Sequence, residues 1–249
     1  MAESGELAGR VAVVTGAGRN IGRAIALALA AGGAAVVVNA RSNRGEAEAV
    51  VREIAAAGGQ ALAALGDVAD AAAVAAMAGA ALRRFGRIDI LVNNAALRRE
   101  RPLDQLGFAE WREVLGVTLD GAFHCVQACL PHLAASGAGA IVNIGGLSAH
   151  TGAKNRAHVV TAKAGLVGFT RALAHDLAPH GVTVNCVAPG LIDTARQGPE
   201  PAHHLVHDTL TGRRGASEDV AATVRFLCGP GGRYITGQTI QVNGGAFLG

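Results

Sequence analysis

Aromatic residues are scarce: Phe, Trp and Tyr make up 3% of the chain, with a single tyrosine, so a large core has to be built from Ala, Val, Leu and Ile. Charge is scarce as well. Only 16% of residues are Asp, Glu, Lys or Arg, the net charge is +3, and no long Lys/Arg run occurs, so no nucleic acid and no membrane surface is expected as a partner. Met1 to Arg10 holds no apolar run of signal-peptide length, and apolar stretches elsewhere are interrupted by Gly, Arg and Asp. A cytoplasmic location is therefore expected. Cys125, Cys129, Cys186 and Cys228 include no C-x-x-C pair and read as reduced, mostly buried thiols. No Pro/Ser-rich linker or break in composition divides the chain, which reads as one domain over residues 1–249.

What is present is a strongly ordered beginning. Val11-Ala12-Val13-Val14 is a short apolar run, Thr15 to Gly22 is glycine-rich, an alanine-rich helical stretch follows, and Val36-Val37-Val38 is a second apolar run. That order predicts strand, turn, helix, strand. A parallel strand buried on both faces is apolar throughout, and parallel neighbours need a crossover helix. Gly16 and Gly18 allow a tight turn that brings backbone N–H groups to a ligand, and Gly22 allows the helix to pack closely. The helix N-terminus then faces an anion, most economically a pyrophosphate.

The same alternation continues. Helical spacing runs from Arg44 to Ala57, Ala61 to Leu65 predicts a strand, Asp70 to Phe85 a helix closed by Gly86, and Ile88 to Val92 a strand. Phe108 to Leu133 reads as a long helix broken by Gly116 and Gly121 and kinked or ended by Pro131. Ala140 to Ile144 predicts a strand, Ala157 to Leu177 a helix, Val182 to Val187 a strand, and Ser217 the cap of a short helix. Strands and helices alternating over the whole length imply an α/β fold with a doubly wound parallel sheet. The polar segment around residues 191–213, with Pro199, Pro201, His203, His204 and His207, reads as a substrate loop. The histidines lack the companions of a metal site, and no metal is expected.

Thr15-Gly16-Ala17-Gly18-Arg19-Asn20-Ile21-Gly22 resembles the nucleotide-binding signature of the short-chain dehydrogenase/reductase family, Thr-Gly-x-x-x-Gly-x-Gly, with Asn20 at the middle glycine. Asn tolerates left-handed backbone better than most residues. Asn93-Asn94-Ala95-Ala96 resembles the family's Asn-Asn-Ala-Gly, which implies that Asn93 ties the central strands together beside the cofactor, part structure and part site; Pro189-Gly190-Leu191-Ile192-Asp193-Thr194 resembles its Pro-Gly segment, and Tyr234 to Gly245 its last strand. The resemblance spans nearly the whole chain. It implies a Rossmann-type sheet of about seven strands with helices on both faces, and a homotetramer or homodimer. It also implies a dinucleotide held by Gly16, Gly18, Arg19, Asn20, Ile21, Gly22, Arg41, Ser42, Asp67, Val68, Asn93, Ala95, Lys163, Pro189, Gly190, Ile192 and Thr194. Asp67 reads equally as a contact to the adenine edge or as a helix N-cap. Val38-Asn39-Ala40-Arg41-Ser42 ends the second strand without an acid, while Arg19, Arg41 and Ser42 could surround a 2′-phosphate, so NADP is preferred over NAD.

The resemblance also implies a catalytic Tyr four residues before a Lys on the fifth long helix, a Ser about thirteen residues before that Tyr, and an Asn on the preceding helix. Lys163 is present, but Val159, Gly146 and Thr118 stand at the Tyr, Ser and Asn positions. An alternative Tyr seven residues before the Lys would fall on Arg156. If the segment after Ile144 is extended, Ser148 and His150 point to the same side as Gly146 and could replace the missing Ser. Lys163, Ser148 and His150 are thus the candidate catalytic residues, with His158 a poorer one, about 140° around the helix from Lys163. Gly146-Leu147-Ser148-Ala149-His150 lacks the last glycine of a hydrolase elbow. Two functions follow. One is an NADP(H)-dependent oxidoreductase of a carbonyl or hydroxyl substrate, similar to the 3-oxoacyl-carrier-protein reductase branch, with a non-standard proton donor. The other is a catalytically inactive cofactor-binding scaffold, sensor or partner subunit. Arg98, Arg99, Arg101, Lys154 and Arg156 gather on one rim with Glu100 the interspersed acid, which points to an anionic small-molecule substrate.

Overall fold

The computed structural model describes residues 5–194 and 208–249. Its strands are β1 (Val11–Val14), β2 (Ala35–Ala40), β3 (Ala61–Leu65), β4 (Ile90–Asn93), β5 (Ala140–Ile144), β6 (Thr183–Pro189) and β7 (Thr239–Val242). All pair in parallel in one sheet of order β3-β2-β1-β4-β5-β6-β7. Every residue of β1, β4, β5 and β6 is buried, which is why these strands show apolar runs and no alternation.

The main helices are α1 (Asn20–Ala31), α2 (Arg44–Ala56), α3 (Ala71–Phe85), α4 (Phe108–Leu115), α5 (Gly121–Ala135), α6 (Ser148–Thr151), α7 (Ala157–Leu177) and α8 (Ser217–Cys228). One apolar core lies between the sheet and α1, α2 and α8, built on residues such as Ile25, Leu29, Ile54 and Val224. The other lies between the sheet and α3, α5 and α7, with Met77, Cys125, Leu133, Leu173 and Leu177. All four cysteines are free and buried, and burial raises each thiol, Cys186 to about 11 and Cys129 and Cys228 to about 12. They remain protonated and unreactive at neutral pH.

The expected break in the long helix does not occur. Gly116 and Gly121 keep helical backbone, Gly116–Asp120 forms a single π turn, and the helix runs on to Ala135. Gly121 is there for a close approach, since a Cβ on it would sit 2.7 Å from Val68 Cγ2. Pro131 is accommodated because it and Gln127, whose carbonyl it cannot serve, both face solvent. Phe108–Ala135 is long and apolar enough to cross a membrane by length and composition alone, but 44% of that window is buried within the fold. Ser217 is not the cap of α8 either; Ala216 holds that place, because the Asp219 carboxylate already accepts its N–H at 2.7 Å.

The strand order reverses between β1 and β4, so the loops leaving their carboxyl ends diverge and open a crevice. That is where the glycine turn lies.

Candidate active site

The turn after β1 is held from three sides. Asn39, at the buried end of β2, accepts the Gly16 N–H through Oδ1 at 3.2 Å and donates from Nδ2 to the carbonyls of Ala64 and Gly66. Asn94, just past β4, donates to the carbonyls of Thr15 at 2.9 Å and Gly16 at 3.0 Å, and Thr15 Oγ1 accepts the N–H groups of Asn94 and Ala95. Gly16 and Asn20 both adopt left-handed backbone, φ +60° and +49°. Asn20 thus supplies the conformation expected of the glycine it replaces. A Cβ on Gly22 would lie 2.2 Å from the Gly16 carbonyl oxygen, so nothing larger than hydrogen fits there.

Around this turn opens a cleft of about 870 Å³. It is lined by Gly16, Gly18, Arg19, Asn20, Ile21 and Gly22 from the turn, Arg41 and Ser42 after β2, and Asp67 and Val68 after β3. Ala95 after β4, Lys163 on α7 and Pro189, Gly190, Ile192 and Thr194 after β6 complete it. Of the residues expected to hold a dinucleotide, Asn93 alone is absent from this lining. Its side chain is spent inside: Nδ2 donates to Asn143 Oδ1 at 2.9 Å, and Asn143 donates to Thr170 Oγ1 at 2.9 Å, tying β4 and β5 to α7. Asp67 faces the cleft and accepts the Ala69 N–H, while the cap of α3 is Asp70, whose carboxylate accepts from Ala72 and Ala73. Residues 195–207, the middle of the expected substrate loop, including His203, His204 and His207, lie outside the described residues.

A dinucleotide fits these residues. The first residues of α1 line the cleft, no side chain caps that helix, and no acid stands in its first turn, so its N–H groups face an anion site. At the adenosine end Arg19, Arg41 and Ser42 face one carboxylate that the sequence reading did not single out, Glu46, whose Oε2 would lie 3.3 Å from a Cβ on Gly18.

The opposite end holds Lys163, Gly146, Ser148, Thr151, Val159, Arg98 and Arg156. Lys163 is buried and its Nζ donates to the Ile144 carbonyl at the end of β5. Burial, then Arg98 and Arg156, brings its ammonium down to about 7. Ser148 lines the cleft; His150 does not. The segment after Ile144 is not extended but turns into α6, so residues two apart diverge instead of aligning. The His150 ring stacks on Phe247, centroids 5.6 Å apart, and cannot serve the reacting end. His158 is fully buried outside the cleft, its Nε2 4.0 Å from Glu110 Oε1, and burial lowers its pKa. The basic rim is thinner than the sequence implied. Arg99 pairs with Glu113 and Arg101 with Glu110, both acids from α4, and exposed Lys154 is not in the lining.

A family profile described as enoyl-(acyl carrier protein) reductase matches residues 16–246. The chain belongs to the short-chain dehydrogenase/reductase family. It is 41% identical over 240 residues to the 3-oxoacyl-(acyl-carrier-protein) reductase of Staphylococcus aureus, covering 95% of this chain and 98% of that one. Among solved structures, a dehydrogenase/reductase from Sinorhizobium meliloti superposes with TM-score 0.92 at 37% identity, covering 97% of this chain and 96% of the other. A short-chain dehydrogenase from Burkholderia cenocepacia, solved in complex with NADP, gives 0.91 at 38% identity, covering 97% and 99%. In this member of the short-chain dehydrogenase/reductase family, Val159 lies one turn before Lys163 on α7, buried against the cleft. Thr118 sits in the π turn with its hydroxyl buried and without a hydrogen-bond partner among the described residues. Tyr234 is fully exposed and is not among the cleft's lining residues.

Proposed function

We propose that this protein is an NADP(H)-dependent oxidoreductase that interconverts a carbonyl and a hydroxyl on an anionic small molecule, with a proton donor other than tyrosine. The observation that carries it is the cleft running from an uncapped, acid-free helix N-terminus to a buried lysine. Arg19, Arg41 and Ser42 outnumber Glu46 at the adenosine end and favour a 2′-phosphate. Arg98 and Arg156 line the reacting end together with Glu100, and guanidiniums there suit a carboxylate or phosphate on the substrate. A missing tyrosine does not abolish the chemistry. A positioned general acid contributes about 10²–10⁴ in rate, whereas holding hydride donor and acceptor in register supplies about 7–11 kcal/mol.

The test is NADPH oxidation against matched neutral and anionic aldehydes, ketones and acyl thioesters at low and high salt. Anionic members should react with lower KM, and the advantage should shrink as salt rises, because exposed charges are screened beyond about 10 Å at 0.1 M. A protein that binds NADPH and oxidises it with no member of the panel would instead be the inactive scaffold.

A further inference from the structure

We propose that the Lys163 ammonium is itself the proton donor to the substrate oxygen, in the place where a tyrosine would otherwise act. This rests on the reductase reading above. Lys163 lines the cleft, and of the three N–H donors on its Nζ the Ile144 carbonyl takes one. Val159, one turn earlier on the same face, has no proton to give. At Gly146 a Cβ would meet nothing within 4 Å, so the space a serine would fill is open for the substrate oxygen.

The other proton-bearing side chains of this end are excluded by chemistry. Arg98 and Arg156 hold their protons throughout the accessible pH range, and the hydroxyls of Ser148 and Thr151 ionise far above neutrality. His150 and His158 are turned elsewhere. Lys163, brought to about 7 by burial, is matched to proton transfer near neutral pH. The charged or titratable groups facing it are Arg98 after β4 and Arg156 before α7, which favour the neutral amine, and Cys186 on β6.

The step balances. NADPH, where bound, would supply the hydride from its C4–H bond to the carbonyl carbon and leave as NADP⁺; with the C=O π pair moved onto oxygen, that oxygen takes a proton from Nζ. The N–H bonding pair stays on nitrogen as a neutral amine, and water returns the proton between turnovers. Reduction then needs the ammonium, so kcat/KM should fall as the pH rises through neutrality, while alcohol oxidation rises over the same range.

Lys163→Arg keeps a cation that can still bond the Ile144 carbonyl but does not release its proton. We expect turnover at saturating NADPH lower by about 10² or more, with NADPH affinity titrated separately because Lys163 also stands among the residues expected to hold the dinucleotide. γ-Thialysine incorporated at position 163 during synthesis keeps an amine made less basic by its sulfur and needs no reagent to reach the buried site. Its activity should persist with the pH midpoint moved downward. The chain has two lysines, so acetic anhydride labelling of the cofactor-free protein, followed by mass spectrometry, reads Lys163 against exposed Lys154 directly. Lys163 labelling should rise through neutral pH. Turnover that survives Lys163→Arg, a thialysine variant with an unmoved midpoint, or Lys163 labelling that is flat through neutrality would each overturn this role alone. A wild type that binds NADPH and reduces no carbonyl overturns the reductase reading and this role together.

Discussion

At the scale of single residues, the nucleotide end of the cleft is decided by which charges stand after β2. Asn39 is fully engaged with the glycine turn and β3, so it offers the ribose no carboxylate, and Arg41 is the exposed cation beside the space a 2′-phosphate would occupy. Arg41→Asp should reverse the preference, weakening NADPH by about 1.5–3 kcal/mol through loss of a charge-assisted bond, while NADH gains a partner for its ribose hydroxyls. Fluorescence titration of both nucleotides checks this; a wild type that binds them equally contradicts the assignment. The asparagines of this region were half legible. The resemblance already implies that Asn93 ties the central strands together, as it does through Asn143; the clamp that Asn94 places on the turn follows from the pairing of β4 with β1.

At the scale of elements, β4 is anchored through Asp89 immediately before it. That fully buried carboxylate accepts two bonds from Arg87, one from the Val11 N–H at 2.9 Å and one from Ser136, so it joins β1, β4 and the end of α5. Burial alone would raise its pKa, but the Arg87, Ser136 and Val11 contacts outweigh burial and leave it lowered. A folded pKa below the unfolded one means that the stabilisation is complete above about pH 3.9, the unfolded value, and is lost as the pH falls through the lower folded value. Asp89→Asn should therefore cost on the order of 1–3 kcal/mol at neutral pH, and the gap to wild type should close in strong acid. Urea midpoints measured from neutral to acid pH would show it; a gap constant with pH would contradict it.

The elements themselves were largely readable, because strands buried on both faces leave apolar runs and the turns carry glycine. What failed was local competition. Gly121 and Pro131 are weak helix residues whose cost the close contact with Val68 and solvent exposure, respectively, offset, while Gly116 begins the π turn. The stretch after β5, expected to be extended, coils into a single turn, which leaves His150 outside the cleft lining. The acids on α4 that pair with Arg99 and Arg101 are close in space through the fold of the intervening loop, which no spacing rule supplies.

At the scale of the whole molecule, α5 and α7 present an outward face with Phe123 exposed beside Phe169, and with small residues Ala164 and Gly168 between polar ones. Such a face is apolar over more of its circumference than one core requires, and a second copy would cover it. We expect a dimer or tetramer by light scattering at micromolar concentration, and a monomer there would contradict this. The central claim, however, is the chemistry. It is tested most directly by supplying NADPH deuterated at nicotinamide C4 with an anionic carbonyl compound and reading the product by mass spectrometry. The account predicts one deuterium on the new carbinol carbon, formed about 10² or more slower when Lys163→Arg replaces the wild type; recovery of unreacted carbonyl and intact nucleotide from a protein saturated with NADPH, across the panel, would contradict it.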